Sequence, residues 1–237
     1  MNPPHQHHEV PHIAINRKLN WLRAAVLGAD DGIVSISAVV VGMAGATNSL
    51  RLILTASVAA LIAGALSMGM GEYVSVSSQR DTEKALIEKE RFELENFPEE
   101  ELNELTSIYE KKGLSKKTAR IVAEELTIHD VHAAHFHAEL GIDPNNLTNP
   151  WHAAYASTLA FFFGGVIPLI TISISPESIR IPITFITVIL VLVVIGILSA
   201  HAGEAKKTTA VMRVVAGGLL AMIITYSIGK LFGVTGI

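Results

Sequence analysis

The 237-residue chain contains no cysteine. That excludes a disulfide framework and any thiolate metal site, so a bound metal would have to draw on oxygen, imidazole or thioether. Charged residues make up only 17% of the chain and aromatics 6%, and they form no basic stripe with interleaved rings of the kind that tracks phosphates. With a formal charge of -4, nucleic acid is not an expected partner. No serine or threonine sits in a nucleophile elbow, no glycine-rich loop follows a strand, and no strand is expected. The chain therefore does not read as an enzyme, and no prosthetic group is expected. Its start, MNPPHQHHEVPHIAINRK, has no apolar segment ahead of a small-residue cleavage site, so no cleaved signal peptide is expected. His5, His7, His8 and His12 offer imidazoles there, but the Pro-broken composition of residues 1–20 reads as a disordered tail.

Apolar residues are what the chain has in abundance. Half of it is hydrophobic, mean hydropathy is +0.43, and the charges are crowded into a few stretches. A helix crossing a hydrocarbon core of about 30 Å needs roughly 20 mostly apolar residues. Five stretches reach that length: 22–46, which contains Asp30 and Asp31; 52–76, uncharged until Glu72; 153–175; 181–200; and 211–232. The expected fold is all-α and polytopic, with transmembrane helices 1 and 2 in residues 21–79, a three-helix insert in 80–141, and a linker followed by transmembrane helices 3–5 in 142–237. Within the insert, Pro98 suits a first helical turn and Gly113 a helix end, which predicts helices over 77–96, 98–112 and 115–140. Arg17, Lys18 and Arg23 precede the first span, and Lys206, Lys207 and Arg213 follow the fourth, whereas the opposite loops carry only Arg51 and Arg180. This bias puts the N-terminus and the insert in the cytoplasm.

A carboxylate at bilayer depth is costly and is retained to bind a cation or relay a proton, which makes Asp31 and Asp30 pathway candidates. Adjacent helical residues point about 100° apart, so one of them, Asp31 by preference, faces a given pathway. Met68 and Glu72 are four apart and share a helix face, either as packing and a snorkelling acid or as a thioether and a carboxylate that hand on a transition metal. The insert offers Glu90 and Glu93, Glu101 and Glu104, and on its third helix Glu125, His129, His132, His135 and Glu139. In an unbroken helix those last five fall on one face roughly 120° wide. Either this is a solvated charged face, or it is a site whose mixed imidazole and carboxylate donors suit iron, manganese, cobalt or zinc better than calcium or magnesium.

GADDGIVS at 28–35, AGALSMGMGEYVSVSSQRDTE at 63–83 and NPWHAAYASTLAFFFGGVIPL at 149–169 resemble the vacuolar iron transporter family, in particular its prokaryotic and nodulin-like branch. The resemblance runs from about Trp21 to the C-terminus. It implies a homodimer in the lipid bilayer that exports Fe2+ or Mn2+, with Co2+ and Zn2+ as further substrates, in exchange for protons, along a pathway formed by the first spans. It also implies that the acid of the family's first-span DG motif falls on Asp31 and its second-span methionine on Met68. The glutamates of its cytoplasmic domain fall on Glu90, Glu93, Glu101, Glu104 and Glu139. Two departures stand out. Ala60 occupies the position of a second-span glutamate in plant-type members, and His135 and Phe136 occupy that of a methionine pair. The expected membrane is the inner membrane of a bacterium, or the vacuolar membrane of a eukaryote. The alternative is a membrane-anchored metal buffer or ferroxidase without transport, although no clear pair of Glu-x-x-His motifs is present.

Overall fold

A computed structural model describes residues 12–203 and 206–235. Seven α-helices follow one another: α1 (His12–Ala46), α2 (Leu50–Asn96), α3 (Pro98–Lys111), α4 (Lys116–His135), α5 (Pro150–Ile174), α6 (Arg180–Ala202) and α7 (Lys207–Thr235). A π-helical turn, Phe136–Leu140, extends α4, and a short 3-10 turn, Pro144–Asn146, leads to α5. No strand is found among the described residues. Five helices, α1, α2, α5, α6 and α7, are long and apolar enough to cross a membrane. α1 begins at His12, so positions 12–20, expected in the tail, are helical. Once a long apolar helix is nucleated, adding residues to its end costs little. Residues 1–11, with His5, His7 and His8, lie outside the described residues.

The chain divides into two compact units, Ser75–Asn149 and the remainder. α2, at 47 residues, contributes to both. In the larger unit α1 lies at the centre. Ile36 and Val40 pack with Ile53 and Leu61 of α2 and with Phe161 and Ile172 of α5. On its other side, Ile33 and Val41 pack with Val188 and Leu192 of α6 and Met222 of α7. Lipid tails are as apolar as leucine, so close packing must hold such helices together. Two glycines show how close: a Cβ on Gly32 would run into the carbonyl of Phe161, and one on Gly229 into the carbonyl of Gly42. Hydroxyls in the spans turn back onto their own helices. Thr158 donates to the Ala154 carbonyl at 2.8 Å and Thr184 to that of Arg180 at 2.7 Å, which keeps these groups from standing bare in an apolar layer, whereas the buried Ser57 and Ser157 hydroxyls have no partner.

The smaller unit has its own core of Ile87, Leu94, Leu105, Ala119, Ala123 and Phe136. Pro98 opens α3. Ser115 caps α4 by accepting a hydrogen bond from the Thr118 amide at 3.3 Å. Gly113, with φ of 103°, makes the left-handed turn between them. Inside α4, Asp130 has extended backbone angles, φ -163° and ψ 97°, and its carboxylate accepts from the Ala133 amide at 3.0 Å, capping the segment that follows.

Candidate metal sites

In the larger unit, an open groove of about 500 Å³ runs between α1 and α2. Asp31 and Ser35 line it from α1, and Ser67, Met68 and Glu72 line it from α2. Ser35 is one turn beyond Asp31 and donates its hydroxyl hydrogen to Asp31 Oδ1 at 2.9 Å, which holds the carboxylate's rotamer. The groove therefore presents two carboxylates and a thioether, a donor set suited to a borderline divalent metal. Ala60 lines the same groove and brings no ligand to it. Met70 is 62% exposed and does not line it. Asp30 is displaced around α1 and lines a second groove of about 660 Å³, with Asp31, Met68, Arg213 and Gly217. Its Oδ1 is buried and has no hydrogen-bond partner.

The smaller unit gathers Glu90 from α2, Glu101 from α3, His135 from α4 and Glu139 from the π-turn, with one ligand atom of each within 4.8 Å of the others. His135 Nδ1 lies 2.9 Å from Glu90 Oε1 and 3.7 Å from both Glu101 Oε2 and Glu139 Oε2. Glu90 and His135 are almost wholly buried, while the Glu139 side chain is 25% exposed. Despite the short separation, neither His135 Nδ1 nor Glu90 Oε1 has a hydrogen-bond partner, and His135 Nε2 has none either. Buried polar atoms are almost always paired. Four ligand atoms within 4.8 Å of one another, with Glu90 Oε1 and His135 Nδ1 buried and unpartnered, are an arrangement a cation satisfies.

Burial pushes the Glu90 carboxyl up to about 7, with further push from Glu139, Glu101, Glu93 and Glu104. Glu101 and Glu139 are raised as well, by burial first and then by the nearby Glu104; a hydrogen bond to Glu90 works against the rise at Glu139. Burial pushes His135 below the usual imidazole value, opposed by Glu104. Without a cation the carboxyls of the cluster therefore hold their protons to higher pH than free carboxyls do, while His135 favours the neutral imidazole, its ligating form.

The other residues expected here lie elsewhere. Glu93 pairs with Lys89 at 3.0 Å, and Glu104 is exposed, acting on the cluster through its charge. Glu125 and His129 are exposed and precede the break at Asp130. His132 is exposed and stacks on Phe136 at 5.7 Å between ring centroids. The shared face predicted for Glu125, His129, His132, His135 and Glu139 requires a continuous helix, and Asp130 interrupts it. Only His135 and Glu139 of those five join the cluster. Two residues were not anticipated in these grooves. Ser35 is legible as the i+4 neighbour of Asp31; Arg213 reads in the sequence only as a positive charge near a membrane face.

The VIT family model matches residues 22–230. The chain is 44% identical over 213 residues to a vacuolar iron transporter of Acanthamoeba castellanii, covering 89% of this chain and 78% of that protein. It is 33% identical over 223 residues to vacuolar iron transporter homolog 4 of Arabidopsis thaliana, covering 94% and 89%. Vacuolar iron transporter homolog 1 of Oryza sativa subsp. japonica is 33% identical over 221 residues, covering 93% and 77%. The family match takes in both acid-bearing grooves of the spans and the buried Glu/His cluster, and the chain belongs to the VIT family.

Proposed function

We propose that this protein carries Fe2+, Mn2+ or both out of the cytoplasm in exchange for protons, as a homodimer with the N-terminus and the Ser75–Asn149 unit on the cytoplasmic side. The reading is supported by relatives named as vacuolar iron transporters and by the lysine and arginine bias of the loops. In a bacterium the membrane is the inner membrane; in a eukaryote it is the vacuolar one. Metal collects on Glu90, Glu101, His135 and Glu139, passes Met68 and Glu72, and crosses by way of Asp31.

The observation that carries the proposal is the groove in which Asp31, Met68 and Glu72 meet. Carboxylates open to a groove in an apolar helical bundle bind or relay cations. The test is Mn2+ flux into proteoliposomes under an imposed pH gradient. Asp31→Asn should give folded protein with flux at the background level; flux at the wild-type rate would remove Asp31 from the pathway. The buried Glu/His cluster also suits a buffer or ferroxidase, which would bind metal and give no gradient-dependent flux in the same assay.

A further inference from the structure

We infer that Arg213 is a tethered counter-cation for the acids of α1, its guanidinium compensating Asp30 and Asp31 when no metal lies between them, so that metal and arginine take turns. The inference rests on the transport reading of the Asp31 groove and assigns to it a residue that reading does not use.

Four observations place the arginine. First, Arg213 lies six residues into α7, about 9 Å along the helix axis, at an exposed position near the start of the apolar run 211–232, where a charge beside hydrocarbon gains from a nearby counter-ion. Second, α1 and α7 run parallel in fixed register. A Cβ on Gly218 would lie 3.4 Å from Val34 Cγ2, Gly229 abuts Gly42, and a Cβ on Gly233 would lie 2.7 Å from the Ala46 carbonyl. Four residues back from the Val34–Gly218 level, Asp30 stands beside Val214, next to Arg213. Third, Arg213, Asp30 and Asp31 line one groove of about 660 Å³, and a Cβ at Gly217 would meet nothing within 4 Å, so the groove has room for a guanidinium to swing. Fourth, Asp30 Oδ1 is buried with no hydrogen-bond partner, and among the described residues no ion pair within 4.0 Å joins Arg213 to either acid. An acid oxygen without a partner and a cation without one share the same space.

The physical need is plain. Two adjacent carboxylates lining one groove repel each other, and Asp30 Oδ1, buried without a partner, lacks the water that would stabilise its charge. A divalent ion compensates both; its departure leaves the charges bare. Arginine remains charged at every working pH, so Arg213 can cover the acids at that moment irrespective of proton supply. The consequence is a weaker hold on metal and a faster release, because the guanidinium takes the metal's place.

The experiment is Mn2+ flux in proteoliposomes, with Mn2+ binding to the full-length purified protein measured by calorimetry. Arg213→Gln should lower both the apparent KM and kcat, each by about three- to tenfold, and tighten Mn2+ binding, while Arg213→Lys stays near wild type. In an Asp30→Asn background, Arg213→Gln should shift KM less than twofold. An unchanged KM, a raised KM with kcat intact, or the same shift in the Asp30→Asn background would overturn the inference. Should Arg213→Gln fail to fold, the double variant Asp30→Asn/Arg213→Gln should recover monodisperse protein; failure to recover also overturns it. If wild-type protein shows no flux at all, the transport reading falls by itself, and the binding arm still decides whether arginine and metal compete.

Discussion

His135 Nδ1 lies 2.9 Å from Glu90 Oε1 without hydrogen-bonding to it, and both atoms are buried and otherwise unpartnered. Two groups held in this way by helices α2 and α4 are costly in the metal-free protein and favourable around a cation. Glu90→Gln separates the two states. It removes a charged ligand, so divalent metal affinity at the cluster should fall by about two orders of magnitude, about 2.7 kcal/mol. It also removes the carboxyl that burial and its acidic neighbours disfavour most, so the metal-free Ser75–Asn149 unit should become more protected. Calorimetry with Co2+ and hydrogen exchange of peptides from this unit read the two effects. Wild-type affinity in this variant would remove Glu90 from the site.

The pH dependence has a definite sign. Burial and its acidic neighbours push the Glu90 carboxyl from the ordinary 4.5 up to about 7, so the folded state holds its proton longer than the unfolded one. The metal-free unit therefore loses stability as pH rises from 4.5 through 7. Glu101 and Glu139 shift in the same direction. His135, which is lowered, acts oppositely: its contribution is complete above 6.5 and is lost as pH falls through its folded value. Between pH 6.5 and 8 the acids dominate. Hydrogen-exchange protection of the metal-free unit, corrected for intrinsic rates, should be greater at 6.5 than at 8, and metal should bind more weakly at 6.5 and displace protons. Calorimetry in buffers of different ionisation heat counts those protons. Binding independent of pH across this window would contradict the raised carboxyls.

The break at Asp130 makes a prediction about residues that lie outside the cluster. Glu125→Gln and His129→Ala, both on exposed side chains ahead of the break, should leave metal affinity within about twofold, whereas His135→Ala should lower it at least tenfold, about 1.4 kcal/mol. Equal losses from all three, measured by calorimetry on full-length protein, would mean that α4 straightens when metal binds and restores the continuous face.

The same break marks where local pattern stops being informative. The five spans follow from run length against bilayer thickness, and the insert's helix ends follow from Pro98, Ser115 and Gly113, because these depend on a few neighbouring residues. The cluster depends on which glutamates of an acid-rich segment are buried. Nothing beside Glu90 or Glu101 distinguishes them from Glu93 or Glu104; the packing of α2, α3 and α4 decides it. Asp130 did carry a signal, since an aspartate whose carboxylate accepts from the amide three residues on is an N-cap. Read that way, it starts a new helix and divides the histidines. In the spans, the i+4 relation of Asp31 and Ser35 was open to the same arithmetic as Met68 and Glu72. The approach of Arg213 to Asp30 was not, because it depends on the register of two helices far apart in sequence.

Ser35 supplies the last test. Its hydroxyl donates to Asp31 Oδ1 at 2.9 Å, and hydrogen bonds to charged groups contribute about 1.5–3 kcal/mol when buried. Asp31 is open to the groove, where water competes for its oxygens, so about 1 kcal/mol is the appropriate scale, a factor of about five in an equilibrium constant. Ser35→Ala leaves both carboxylates and Met68 in place and releases only the rotamer of Asp31. The apparent KM for Mn2+ in proteoliposomes should therefore rise about three- to tenfold, with kcat changed less than twofold, since the ligand is less well aimed but still present. Ser35→Thr keeps a hydroxyl on the same carbon and should restore most of the affinity. If alanine and threonine behave alike, the hydroxyl does not hold Asp31 for metal, and the groove's selectivity lies with Met68 and Glu72.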